Sequence, residues 1–325
     1  MSCFKSTIAR SAAIFALALA VAPIASAQQI NRISITTGGT GGVYYPMGGG
    51  MANILSKYVP GLQATAEVTG GSIDNLKLVN AGKSEVAFSM ADAGWDAYEG
   101  LDKFKDGKVP LRTLMVLYPN KMHVVTIDGT GINKLADLKG KRVSTGSPGS
   151  GTEVMALRVM EAVGIDGRKD LKQERLGVAE SVNAIKDRKI DAFFWVGGLP
   201  TAAVTDLAAT PGVKLRLIDH DEAVDAMNKK YGPLYVKGVI PAGTYLGQDK
   251  PNTEVDVWNI LVTNDKMSDA MAYNIVKTLF EKKPELVTVH KEAQNIELKS
   301  QAVGSPIPFH PGAKKYFEEK GVSVK

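Results

Sequence analysis

The chain has 325 residues, a formal net charge of +5 and one cysteine, Cys3. A lone thiol excludes a disulfide framework and a thiolate metal set. The lysines (Lys77, Lys83, Lys103, Lys105, Lys108, Lys186, Lys189, Lys277) are dispersed through amphipathic segments, which argues for solvated helix faces and against a nucleic-acid partner.

Residues 1–27 read as a cleaved signal peptide. Lys5 and Arg10 give a positive start, 11–24 is a short apolar run, and Ala25, Ser26 and Ala27 form a small-residue cleavage site. The run contains Pro23 and falls short of the ~20 unbroken apolar residues of a membrane anchor. Export to the periplasm is therefore expected. The ~300 residues that follow are more comfortable as two lobes than as one.

From Ile33 onward strands and helices alternate, which predicts an α/β fold with largely parallel sheets. Strands are expected over 33–37, 64–69, 85–90 and 111–117. Between the first two, Met47, Met51, Ile54, Leu55 and Tyr58 recur at helical spacing, and Pro46 suits the first helical position. A further strand is expected over 122–127, then a short helix and turn over 135–141 leading into a strand at 142–145. The segment 179–190 repeats the order of 70–82, a short helix followed by a strand opened by an acidic residue, at Asp191 and at Glu85. The run 255–262 is expected to cross back between lobes, followed by a helix over 269–282 that stops before Pro284. Two crossing strands predict a hinge with a cleft beneath it. The expected organisation is 28–125 plus 258–325 as lobe 1 and 126–257 as lobe 2.

Two strands run into glycine-rich turns that open helices, at 38–45 and at 146–152. Glycines permit close approach to the main chain, and first-turn amides point outward unpaired, so each turn suits an anion. The turn G-S-P-G-S-G-T at 146–152 nearly matches a phosphate-binding P-loop, but Thr152 stands in place of the lysine. What remains is a nest of N–H groups with the Ser147, Ser150 and Thr152 hydroxyls beside Gly151, suited to a carboxylate; a plain N-cap is the competing reading. In the first turn, Thr40, Gly41, Val43 and Tyr44 are candidates, with Tyr44 able to donate to a carboxylate and Tyr45 the weaker contact.

A third helix start at 71–75 offers Ser72 and Asn75, although capping alone would explain Ser72. At the end of the next strand, Met90 and Asp92 reach the edge where open α/β sheets bind ligands, with capping of the following helix the preferred role for Asp92. Trp195 and Gly198 close a later strand, Trp195 as core or cleft wall. His123, His220, His290 and His310 show no metal spacing, and no nucleophile elbow surrounds Ser147 or Ser150. No cofactor, metal or catalytic group is expected, and no arginine stands out in a glycine turn as a carboxylate clamp.

Together, the leader, T-G-G-T-G-G-V-Y-Y-P at 37–46, T-G-G-S-I-D-N at 69–75, L-A-D-L-K-G-K-R-V at 135–143 and the 146–152 turn resemble the TAXI family. These are substrate-binding receptors of one class of tripartite ATP-independent periplasmic (TRAP) transporters. The resemblance spans the mature chain and implies a two-lobed type II periplasmic-binding-protein fold whose two connecting strands form a hinge. It further implies closure on an organic anion, and delivery to the membrane permease subunits of a TRAP transporter driven by an ion gradient. It supports Tyr44, Ser72, Asn75, Ser147, Ser150, Gly151 and Thr152 as ligand contacts. Where relatives often carry glutamine and a small polar residue, this chain has Met90 and Ala91. That departure makes a dicarboxylate such as 2-oxoglutarate at least as fitting as glutamate. The expectation is a monomeric, non-catalytic receptor. The alternatives are a receptor of an ATP-driven importer for a related carboxylate, or an exported enzyme on the same scaffold.

Overall fold

The computed structural model describes residues 31–325, so the signal-peptide expectation falls outside the described residues. The strands are β1 (Asn31–Thr36), β2 (Leu62–Glu67), β3 (Val86–Met90), β4 (Leu111–Ile127), β5 (Arg142–Ser144), β6 (Lys172–Glu174), β7 (Ala192–Gly197), β8 (Leu215–Leu217), β9 (Tyr235–Ile240) and β10 (Asn252–Asn264). They form one ten-stranded sheet in the order β2-β1-β3-β10-β4-β7-β5-β6, with β8 added to β4 and β9 to β10.

The sheet is mixed, which corrects the largely parallel expectation. β1, β2 and β3 are mutually parallel on one side, as are β5, β6 and β7 on the other. Between them run the antiparallel pair β4 and β10, and each changes partners along its length. β10 pairs with β9 from Asn252 to Val257 and with β3 from Asn259 to Thr263. β4 pairs with β10 up to Lys121, and from Lys121 onward with β7. The strands expected at 111–117 and 122–127 are thus one strand. Pro119, opposite Trp258, does not break it, because the register shifts there and proline is tolerated in a sheet where pairing is irregular.

Helices α1 (Tyr44–Tyr58), α2 (Ser72–Asn80), α3 (Ala91–Glu99), α4 (Gly151–Ala162), α5 (Val178–Lys186), α6 (Ala202–Ala208) and α7 (Ala223–Tyr231) cover the sheet. The chain ends with α8 (Asp269–Glu281), α9 (Lys283–Val289), α10 (Leu298–Gln301) and α11 (Pro311–Glu319). α1 buries Met47, Met51, Ile54 and Leu55, the stripe its spacing predicts. It begins two residues earlier than expected, so Pro46 is its third residue, still within the first turn where no N–H partner is lost. Ser150 caps α4 by accepting from Glu153 N at 3.1 Å. A large apolar core surrounds β1, β3, β4 and β10, and a smaller one gathers Val125, Val182, Ile185, Phe193, Val204 and Leu207 under α5 and α6.

Candidate functional site

Parallel strands on one side of a sheet release their loops at the same edge, and that edge is where a crevice forms. Here the loops after β1, β2 and β3 meet those after β5, β6 and β7 around a cavity of about 390 Å³. Its floor is buried: Val43, Ser72, Met90, Tyr118, Ser150 and Thr152 are each less than a tenth exposed. The Trp195 ring forms one wall, held by its Nε1–H donating to Thr201 Oγ1 at 2.9 Å. A Cβ on Gly42 would lie 2.7 Å from that ring, so only glycine lets the first turn approach it.

The two sides touch across the rim. Ser147 Oγ donates to Gly70 O at 3.0 Å, Asp74 N to Gly149 O at 3.1 Å, and Ala203 N to Gly41 O at 3.3 Å. Gly71 holds φ 122 at the start of α2, a backbone state that favours glycine, and this brings the first turn of α2 against that of α4. The N-termini of α1, α2 and α4 therefore converge on the cavity, and their unpaired amides favour a negative group there.

Among the described residues, the one cationic side chain in the wall is Arg175, immediately after β6. Its Nε donates to Glu153 Oε1 at 2.5 Å and its Nη2 to Glu153 Oε2 at 2.8 Å. That fork fixes the guanidinium plane and leaves Nη1 without a partner among the described residues, available to a ligand carboxylate. The Arg175 side chain is 48% exposed, which places it on the solvent side of the cavity, with Glu180 also in the wall. A larger hollow of about 730 Å³ lies away from these turns, between α3, α4 and α7. Four of its charged side chains pair with each other, Arg158 with Asp96 and Lys230 with Glu161, and no helix N-terminus of the glycine-rich turns opens into it, so the smaller cavity is the better ligand site.

The pattern of the NMT1-like family matches residues 35–321. This chain belongs to the NMT1-like family. Solved structures share its architecture. A protein of Bordetella bronchiseptica RB50 matches with a TM-score of 0.52 at 18% identity, covering 88% of this chain and 88% of its own. The binding-protein component of an ABC phosphonate transporter from Pseudomonas aeruginosa matches with a TM-score of 0.50 at 11% identity, covering 82% and 80%. The α/β fold is shared with that transporter binding protein.

Of the residues singled out in the sequence of this NMT1-like chain, Thr40, Gly41, Val43, Tyr44, Ser72, Met90, Ser147, Ser150, Gly151, Thr152 and Trp195 line the cavity. Three lie outside its wall. Asn75 is buried behind the turn, where its Nδ2 donates to Thr37 O at 2.6 Å and Phe88 O at 2.8 Å, and so ties β1 to β3. Asp92 is in the second position of α3, accepting from Tyr235 Oη at 2.8 Å with Arg158 3.7 Å away; its Oδ1 accepts from the first-turn Ala93 N at 2.8 Å, and it lies outside the cavity wall. Gly198 packs against the Tyr118 ring and Glu292. Tyr44 has its ring in the wall, but its hydroxyl donates to Asn259 Oδ1, so it does not offer the free proton expected of it.

Sequence reasoning missed Arg175 and Tyr118. For Arg175 a signal existed: it follows a strand parallel to β5, hence at the ligand edge, but the strand is three polar residues long and carries no hydrophobic alternation. Tyr118 is an inward residue of β4, and its apolar neighbours make it read as core.

Proposed function

We propose that this chain is a periplasmic solute-binding receptor that captures a small organic anion between two lobes. The ligand class is a dicarboxylate such as 2-oxoglutarate, or glutamate. The carrying observation is a single cavity walled from both sides of the sheet and bridged across its rim at Ser147 and Gly70. Lobe 1 comprises 28–125 plus 258–325 and lobe 2 comprises 126–257. The partner changes of β4 at Lys121 and of β10 between Val257 and Asn259 support a hinge at those strands, about which the lobes close.

Three helix N-termini and the Glu153-oriented Arg175 support an anionic ligand. We assign the delivery partner as a TRAP permease, on the resemblance of the four glycine-rich and lysine-rich motifs to TAXI receptors. The second reading is a receptor for an ATP-driven importer, favoured by the shared fold of the Pseudomonas aeruginosa phosphonate component. The receptor is read as monomeric, exported and non-catalytic, and turnover of a bound acid would overturn the last point.

The test is a thermal-shift screen of residues 28–325, refolded free of ligand, against C4 to C6 dicarboxylates, amino acids, monocarboxylates and phosphonates. A ligand at a hundred times its Kd adds about 2.7 kcal/mol. A selective rise with one acid supports the reading, and a folded protein indifferent to all of them sinks it.

A further inference from the structure

We propose that the Tyr118 hydroxyl is the specificity-determining donor at the closed end of the cavity, selecting ligands whose buried end carries an acceptor oxygen. This rests on the receptor reading above. Tyr118 is fully buried and lines the cavity. Its hydroxyl has no hydrogen-bond partner among the described residues. A buried donor without an acceptor is a standing penalty, and one on a residue that lines a ligand space is relieved when the ligand brings the acceptor.

The surroundings favour Tyr118 in that role, since it is the wall hydroxyl that is fully buried without a partner among the described residues. Burial above all, with Tyr44 and Glu292 adding to it, pushes the phenol well above its ordinary pKa, so the oxygen keeps its proton. Three other hydroxyls of the wall already donate within the protein. Tyr44 donates to Asn259 Oδ1, Ser147 to Gly70 O, and Ser150 to Ser147 O at 2.7 Å. Glu292, beside Tyr118, turns its carboxylate to Leu199 N at 2.5 Å and Asn295 Nδ2 at 2.6 Å. With Arg175 on the solvent side and Tyr118 at the closed end, the cavity has a charged pole and a neutral donor pole. A diacid satisfies both. A monocarboxylate with a methyl end reaches Arg175 and leaves the Tyr118 proton unpaired, which is the situation in which a polar site rejects an analogue.

Wild type and Tyr118→Phe, which keeps the ring and removes one oxygen, are titrated calorimetrically with 2-oxoglutarate, glutarate and pentanoate, and their ligand-free melting is compared. The wild type is expected to bind the diacids about tenfold or more tighter than pentanoate. Tyr118→Phe should lose that gap by weaker diacid binding, with pentanoate unchanged, and should melt no lower than wild type without ligand. Equal affinity of the two proteins for 2-oxoglutarate overturns the assignment of Tyr118 and leaves the receptor reading intact. Wild type that binds none of the acids overturns the carboxylate reading and this inference with it. A ligand-free Tyr118→Phe that melts below wild type shows that the hydroxyl has a protein partner, and also overturns it.

Discussion

Arg158 of α4 is buried against Asp96 of α3 and ties together two helices that begin at facing walls of the ligand cavity. The guanidinium is only 4% exposed. It also donates to Tyr235 Oη at 2.9 Å and lies 4.2 Å over the Tyr231 ring. Removing it would strand Asp92 and Asp96 as uncompensated buried carboxylates, and breaking such a pair from one side costs about 3–5 kcal/mol. Arg158→Met should therefore lower the unfolding free energy by that amount, read as a lower guanidinium midpoint at unchanged slope. A loss under about 1 kcal/mol, the range of an exposed pair, would show that the cluster is solvated.

Arg175 is the side chain most exposed to a ligand's charge, and Glu153 sets its angle. Arg175→Lys keeps the charge but cannot form the fork, and one charge-assisted bond contributes about 1.5–3 kcal/mol. Binding of any carboxylate found in the screen should weaken roughly 10- to 100-fold in Arg175→Lys, read by calorimetry. Unchanged affinity would remove Arg175 from the site.

Gly151 opens α4 where α2 comes closest. A Cβ there would lie 2.5 Å from Met90 Sδ and 2.9 Å from Ser72 Oγ. Gly151→Ala should leave each side of the sheet folded yet hold the two apart, so ligand affinity falls about tenfold or more while ligand-free stability changes by about 1–3 kcal/mol. Small-angle scattering with ligand present checks this, since the variant should stay more open than wild type. A variant that closes as wild type does would show that the seam can yield.

Glu254 on β10 is fully buried beside Asp256, with its Oε2 accepting from Met122 N at 2.8 Å. Lys121 Nζ is 2.5 Å from Asp256 Oδ2 and 3.5 Å from Glu254 Oε1. Burial, then Asp256, push the Glu254 carboxyl far above the usual carboxylate range, more than Lys121 offsets. In the folded protein it holds a proton that the unfolded chain gives up, so the folded state binds more protons and stability falls as pH rises above the ordinary value of 4.5. Glu254→Gln should flatten that fall and be more stable than wild type at pH 8 in urea titrations. An unchanged slope would show that Lys121 neutralises the pair.

His123 and His220 work in the opposite sense. His123 Nδ1 donates to Lys121 O at 3.0 Å and its Nε2 accepts from Tyr245 Oη at 2.8 Å, while His220 Nδ1 donates to Ile218 O at 2.8 Å. Both rings are buried and neutral, and burial lowers each from 6.5 to about 4. Between those values the unfolded chain takes up protons that the folded one refuses, so stability drops as pH falls, by up to about 3 kcal/mol per ring. His220→Asn should show a shallower acid limb than wild type from pH 6.5 to 4. An acid limb as steep as that of wild type would clear His220 of the effect.

What the amino-acid sequence determined by itself was whatever depends on near neighbours. The glycine turns at 38–45 and 146–152, the Ser150 cap, the apolar stripe of α1 and the stop of α8 before Pro284 follow from backbone freedom, capping and helical spacing. Each of these is a property of a few adjacent residues, so each could be read in place. The tertiary structure decided the rest. Whether β4 runs parallel or antiparallel to β10, and that it continues through Pro119, depends on a partner more than a hundred residues away. Asn75 and Asp92 carry side chains that suit a ligand, but the distant carbonyls of Thr37 and Phe88 and the Arg158 guanidinium claim them first. Arg175 had only the faint mark of following a short polar strand and Tyr118 had none, and only the chain's folding set one beside Glu153 and left the other without an acceptor among the described residues at the closed end of the cavity.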